Sequence, residues 1–380
     1  MFRLFVNPLL ISLMALVFSP QVSNADWPMF RGDAALLGGS SNNLPQKPVL
    51  LWKFKTGASA KSSAVISNGK VFIGSDDMNV YALDFKTGKK LWSYKTTGAV
   101  EAPGMFADGK LFIGSTDAIF YALDANTGKL LWKYQTEGKI LAAPNITVGT
   151  SSTSSQTNFQ KILIGSYDFR LHCVDAATGK SNWVYETDNY INGSPAVADG
   201  KTVFGGCDGL LHVISVTEGK KIKELHAGAY VAASVALADN RAYFGHYENE
   251  FLCIDLNDGK TIWTYKNRDF PYMSSAAVTK DRVVVGGRDK LLHCINREDG
   301  QKIWTFATQG KVDSSPVVAG DKVVVGSDDG RIYLVSLQTG KELWSYEIGQ
   351  PVGSSPAVAD GKIVIGSYDG YVYCFGEKNK

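Results

Sequence analysis

Histidines, carboxylates and cysteines are the side chains here that could carry chemistry, and each recurs at a fixed place in the chain. Three of the five histidines, His172, His212 and His293, could ligate a metal, but sister positions hold Tyr81, Tyr121, Tyr333 and Tyr373. Exchange with tyrosine marks a packed aromatic ring with a polar tip. His226 and His246 have no second histidine at ligand spacing. An acid stands at one slot eight times: Asp77, Asp117, Asp168, Asp208, Glu248, Asp289, Asp329 and Asp369. Eight carboxylates on one face could ring a cation. An acid opening a turn also caps the backbone N–H groups ahead of it, and that role is expected here. Of the five cysteines, Cys173, Cys253, Cys294 and Cys374 share a slot with Ala82, Ala122, Val213 and Leu334, so buried thiols rather than disulfides are expected. No Ser/His/Asp order, phosphate-binding loop or metal pair emerges.

These slots exist because the chain repeats itself. Thr339-Gly340-Lys341-Glu342-Leu343-Trp344 is one copy of a unit whose tryptophan also falls at Trp52, Trp92, Trp132, Trp183, Trp263 and Trp304, with Lys223 in the remaining place. The successive spacings are 40, 40, 51, 40, 40, 41 and 40 residues, a period that signals a repeat architecture. Each unit holds four short β-type segments, in the first copy Ser62–Ser67, Lys70–Gly74, Val80–Asp84 and Leu91–Lys95. Asn68-Gly69 and its Asp-Gly counterparts at 108, 199 and 360 are two-residue hairpin turns. One small antiparallel sheet per unit cannot bury both its faces, whereas eight packed around an axis can, so the sequence predicts an all-β, eight-bladed β-propeller of four-stranded blades.

The strand order is also legible. Ser314-Ser315-Pro316-Val317 and its sisters are small and proline-bearing, which suits an innermost strand whose edge lines the channel. The tryptophan strand is then outermost, each indole packing on its own turn and on the neighbouring blade. Leu51–Lys55 is an outer strand with no inner three before it, and the last unit ends after its inner three, so the two should complete one blade between them. Ser151 to Gln160 accounts for the 51-residue spacing and is expected to be a mobile loop in the first hairpin of the third unit.

Bulk composition narrows the field further. With 39 Lys plus Arg against 37 Asp plus Glu, a net charge of +2 gives no electrostatic case for nucleic acid or an acidic membrane as partner. Arg3, the apolar stretch Leu9 to Phe18 and the small residues Ser23-Asn24-Ala25 form a secretory signal pattern. Residues 1–25 are read as a signal cleaved near Ala25, which implies a periplasmic or secreted protein. A retained anchor helix is the alternative, and its apolar core is short for spanning. Residues 26–50 are read as an extended N-terminal arm, 51–376 as the propeller and 377–380 as a tail.

The pattern Ala122-Leu123-Asp124 to Trp132 resembles the tryptophan docking motif of PQQ-type quinoprotein propellers, over residues 51–376. That resemblance implies either a PQQ-dependent dehydrogenase using calcium or a non-catalytic propeller of the BamB-like kind, the latter being closer in length. The dehydrogenases carry adjacent cysteines over the cofactor, a tryptophan beneath it and calcium-holding insertions. Here no two cysteines are adjacent, every tryptophan but Trp27 belongs to the repeat, and no Cys-x-x-Cys-His haem site exists. No cofactor or metal is expected, with PQQ and calcium as the alternative. The lipobox of BamB is absent, which argues against a lipid tether, and no apolar run after the N-terminus approaches the roughly 20 residues of a membrane helix, so membrane insertion is not expected.

Function should sit where sister units disagree. The loop entering the sixth blade reads Asn267-Arg268-Asp269-Phe270-Pro271-Tyr272-Met273, where the seventh has Gln309-Gly310-Lys311-Val312-Asp313. On the same rim fall Arg288 and Lys290, then Tyr247, Glu248 and Asn249, with Tyr190, Asn192, Tyr230, Lys311 and Asp313 entering neighbouring blades. Aromatic residues with arginine on one rim suit a binding surface. The candidate site is therefore Tyr190, Asn192, Tyr230, Tyr247, Glu248, Asn249, Arg268, Asp269, Phe270, Tyr272, Arg288, Lys290, Lys311 and Asp313. A monomer gripping a protein, peptide or small ligand is expected, with a quinoprotein oxidoreductase as the competing function and a sugar-binding propeller as a third.

Overall fold

The structure is a computed structural model that describes residues 26–149 and 159–378. Eight antiparallel sheets are arranged in chain order, and no helix occurs among the described residues. In blade one the strands are Val65–Ser67, Lys70–Gly74, Asn79–Asp84 and Lys90–Lys95, from the channel outward. Val49–Lys55 pairs antiparallel with Tyr371–Gly376, so the head of the chain supplies the outer strand of blade eight. In blade three the first hairpin joins Asn145–Gly149 to Phe159–Gly165, as the long spacing implied. Residues 151–158 of the expected mobile loop, like the signal segment 1–25, lie outside the described residues.

Blade-to-blade packing explains the repeat. Every repeat indole but that of Trp344 docks on the turn of the next blade, not on its own. The Trp52 Nε1–H donates to Phe85 O (3.0 Å), and that of Trp92 to Ala125 O (3.1 Å). The turn glycine must lack a side chain, because a Cβ on Gly88 would fall 2.6 Å from the Trp52 ring at φ +70°. Lys223 keeps this contact by other means: its ammonium donates to Leu256 O (2.8 Å) and Asn257 O (2.7 Å), the carbonyl that the indole reaches elsewhere and its neighbour. Trp344 faces a blade without that turn and packs edge-on against Phe375. Cys173, Cys253, Cys294 and Cys374 are free, buried thiols, and burial pushes them up, Cys173 to about 12.

Near the channel the small inner strands do more than save space. Six serine hydroxyls form a belt around the axis, each accepting a backbone N–H from the preceding blade. Ala143 donates to Ser194 Oγ, Ser194 to Ser234, Ser234 to Ser275, Ser275 to Ser315, Ser315 to Ser355, and Ser355 to Ser63, at 2.8 to 3.0 Å.

The segment from Trp27 to Ser40 is wound inside the channel rather than extended along the surface. The inner strands are edges, and their channel-facing N–H groups need acceptors. The arm provides them in order around the ring. Ile66, Phe106, Val197, Leu237, Val278 and Val318, one repeat position in six blades, donate to the carbonyls of Trp27, Pro28, Ala34, Ala35, Leu37 and Gly38 at 2.7 to 3.0 Å. Asn145 supplies the contact from blade three through its side-chain amide to Ala34 O (2.8 Å). At the centre, the buried Arg31 guanidinium donates to Ser315 O (3.1 Å), Ala276 O (3.0 Å) and Pro316 O (2.6 Å). Burial lowers Arg31 to about 9, against the opposing pull of Asp33. These contacts lie near the first hairpins, so the arm closes the channel at that end and leaves the other open.

Candidate functional site

The open face is built from the turns between second and third strands and from the loops entering each inner strand. In every blade the turn follows one plan. The residue after the ring acid adopts a left-handed φ, from Ala118 (+65°) to Gly330 (+83°), and Asn249 (+68°) and Lys290 (+66°) occupy that place. In every blade but the fifth the acid accepts the N–H two residues on, as Asp77 does from Asn79 (2.9 Å). Its second oxygen takes the aromatic tip four residues on: Tyr81 to Asp77 (2.6 Å), Tyr121 to Asp117 (2.7 Å), Tyr333 to Asp329 (2.8 Å) and Tyr373 to Asp369 (2.5 Å). His172 and His212 do the same for Asp168 (2.9 Å) and Asp208 (2.8 Å), while His293 meets, at 3.1 Å, the Asp289 oxygen that also accepts the Leu291 N–H, the other oxygen accepting from Asn267. Facing a carboxylate, Nε2 of each histidine carries the proton, and Nδ1 of His293 accepts from the Tyr265 hydroxyl (3.0 Å) of the preceding blade. These histidines and seven of the eight acids are thereby occupied in holding the blades together.

Burial alone would raise the carboxyl groups of Asp77, Asp117, Asp168, Asp208 and Asp289, but the hydrogen bonds outweigh it. Asp77 is held below the ordinary range by Tyr81 and the N–H groups of Gly57 and Asn79, Asp117 by Tyr121 and Thr97, and Asp289 by His293. A carboxyl group depressed in the folded state stabilises the fold above its unfolded pKa of about 4, and that contribution disappears as pH falls through the folded value. Unfolding free energy is therefore expected to be flat above about pH 5 and to fall steeply below about pH 4. Asp117→Asn should reduce that acid slope in denaturant titrations at stepped pH, and an unchanged slope would count against the clamp.

Inside this ring the open end forms a cup of about 210 Å³, floored by Phe30 and walled by the serine belt, Lys61, Glu101, Asn192, Met273 and Asp313. Charges at its lip are paired. Lys61 meets Asp76 (2.8 Å) and Glu101 (3.1 Å). The Arg288 guanidinium grips Asp313 through two bonds (2.9 and 3.0 Å), and Lys311 bridges Asp313 (2.8 Å) and Asp328 (3.4 Å). Burial pushes Asp313 up, but Arg288 and Lys311 hold it below the usual range. Asp328 is raised, by burial first and by repulsion from Asp313, against the pull of Lys311.

The structure thus brings Arg288, Lys311 and Asp313 into one network and sets Tyr230, Tyr247 and Glu248 along one groove. The Tyr230 and Tyr247 rings meet edge to face at 6.5 Å. Tyr190 stacks on Tyr167 (4.8 Å) and meets Phe169 edge-on, while Asn192 donates to Cys207 Sγ (3.0 Å). Arg268, Asp269 and Phe270 are exposed, with Asp269 paired to Lys266 (2.9 Å). Lys290 is exposed, and its carbonyl accepts from Thr308 (2.9 Å).

Tyr272 is a correction. It is 1% exposed, packed between Tyr265 and His293, and occupies the interior slot of Val100, Ile140 and Val312. The extra residue in the loop bulges outward as Arg268 to Phe270 and leaves the buried slot filled by the tyrosine ring. Tyr167, Phe169, Cys207, Tyr368, Asp76 and Asp328 also belong to this face and were not singled out from the sequence. All but Phe169 share the slot just before the acid, which varies more than its neighbours from blade to blade.

The cup offers PQQ no free cation among Lys61, Arg288 and Lys311. PQQ is a tricarboxylate whose carboxylates would compete there with the acidic partners that these three residues already hold. Among the described residues no group of three or more His, Cys, Asp or Glu could hold a metal ion.

A family model described as outer membrane protein assembly factor BamB matches residues 49–265 and 252–379. The solved structure of BamB from Moraxella catarrhalis is similar, with TM-score 0.70 at 17% identity, over 87% of this chain and 100% of that one. A europium-containing methanol dehydrogenase gives 0.75 at 15% identity, over 93% and 98% of the two chains. The quinohemoprotein alcohol dehydrogenase from Comamonas testosteroni gives 0.74 at 15% identity, over 93% and 81%. At these identities the likeness shows the fold alone. No curated protein matches the chain.

Proposed function

The chain belongs to the family described as outer membrane protein assembly factor BamB, and from that premise we propose that it is an exported binding or scaffolding propeller. Its partner is a protein, gripped by the open rim of blades four to seven. One observation carries this reading. The most exposed aromatic side chains, Phe169, Tyr190, Tyr230, Tyr247, Phe270 and Tyr368, all stand on the open face. Exposed aromatic rings lose hydration cheaply when a partner covers them, and they dominate protein interfaces. The opposite end of the channel is filled by the chain's own arm, which leaves one face for a partner. The charged residues of the cup's lip, Lys61, Asp76, Glu101, Arg288, Lys311, Asp313 and Asp328, pair with one another rather than converging on a reacting group, which favours binding over the oxidoreductase alternative.

Tyr190→Ala combined with Phe270→Ala tests it. Both side chains are largely exposed, so stability should change by less than about 1 kcal/mol. Capture of a partner from a cell-envelope extract, read by mass spectrometry against wild type, should be lost. Undiminished capture would remove this rim from the interface.

A further inference from the structure

We infer that Glu248, Tyr230 and Tyr247 form a receptor for one arginine or lysine side chain of the partner, presented on an extended segment. The inference deepens the binding-face reading and rests on it.

Glu248 is the exception in the acid ring. Its seven sisters are tied down by Tyr or His four residues on, but blade five has Leu252 there, which has nothing to donate. The Glu248 carboxylate makes no hydrogen bond or ion pair and is exposed, although its slot is structural everywhere else. Seam four–five differs throughout. Lys223 stands for the docking indole, and Leu225 with Leu252 replaces the aromatic or tyrosine–histidine pairs of other seams.

At that seam the open face has a groove of about 660 Å³, lined by Asp208, Leu210, His226, Tyr230, Tyr247 and Glu248. Tyr230 is 55% exposed and Tyr247 46%, and their rings make a corner beside the free carboxylate. No lysine or arginine lines the groove. A ring face attracts a cation through its quadrupole, and a carboxylate adds a charge-assisted hydrogen bond. Aromatic walls with one unpaired acid therefore suit a guanidinium or ammonium group, and an anionic or purely apolar segment would leave Glu248 uncompensated. The groove lies open along the seam between two blades, which admits an extended chain rather than a helix end.

The test uses synthetic Gly/Ser decapeptides carrying three spaced arginines, with glutamine-substituted and glutamate-substituted counterparts, and tetramethylammonium as a small cation. Binding to the full mature protein is read by titration calorimetry. The arginine peptide should bind, with the glutamine and glutamate peptides at least about tenfold weaker. Glu248→Gln and Tyr247→Ala should each weaken it at least about fivefold. Glu218→Gln, on the opposite face, should leave it unchanged. No binding to wild type, equal binding to Glu248→Gln, or equal binding of the glutamine peptide would each overturn the inference. Tetramethylammonium binding as tightly as the arginine peptide would overturn the peptide occupant in favour of a small organic cation. The binding-face reading is judged separately, by partner capture in the Tyr190 and Phe270 variant.

Discussion

Arg31→Ala is expected to free the N-terminal arm and lower stability by about 3 kcal/mol. The substitution leaves the carbonyls of Ala276, Ser315 and Pro316 without their donor inside a closed channel. It also removes the side chain against which Gly38 is packed, where a Cβ would fall 1.8 Å from Arg31 Nη2. The loss is partly offset because an unpaired buried guanidinium is itself costly to desolvate. Hydrogen exchange reads the effect by residue: the amides of Ile66, Phe106, Val197, Leu237, Val278 and Val318 should lose protection together, while those of the outer strands keep theirs. If those six amides stay protected, the arm is held by something other than its central arginine.

Trp263→Ala should cost still more, about 3–5 kcal/mol, because a large buried ring is removed from a seam that cannot collapse. Its indole stacks on Gly300, donates to Arg297 O (2.9 Å) and packs against Tyr243 and Phe251. Lys223→Ala, at the same repeat position one blade earlier, should cost only about 1–2 kcal/mol, since it loses two hydrogen bonds and little packing. Denaturant melts of the two variants make the comparison. Equal losses would mean that seam four–five is as tightly docked as its neighbours.

The ring and its closure were legible because each unit has sisters. Counting tryptophans and inner strands assigned Leu51–Lys55 to the last unit as its outer strand, and Val49–Lys55 is found paired with Tyr371–Gly376. The alternation of Tyr with His likewise showed that His172, His212 and His293 are packing residues, and their bonds to turn acids give the reason. Trp27 to Ser40 has no sister, so nothing in its spacing revealed that it fills the channel. Tyr272 was misplaced by counting the loop forward from its start. Counted back from Ser274, it falls on the interior slot of Val312. Glu248 sat in the acid ring in plain view, but its freedom depends on Leu252 four residues away, a pairing meaningful only once the aromatic–acid clamp is seen.

The most direct measurement of the central claim is site-specific photocrosslinking in whole cells, with a photoreactive phenylalanine placed at Tyr230 or Phe270 on the open face and at Lys220 or Lys341 on the arm-closed face. All four side chains are solvent-exposed. A partner protein trapped from positions 230 and 270, and from neither of the other two, is the expected result. A partner trapped from 220 or 341 alone would contradict a propeller that binds through its open rim.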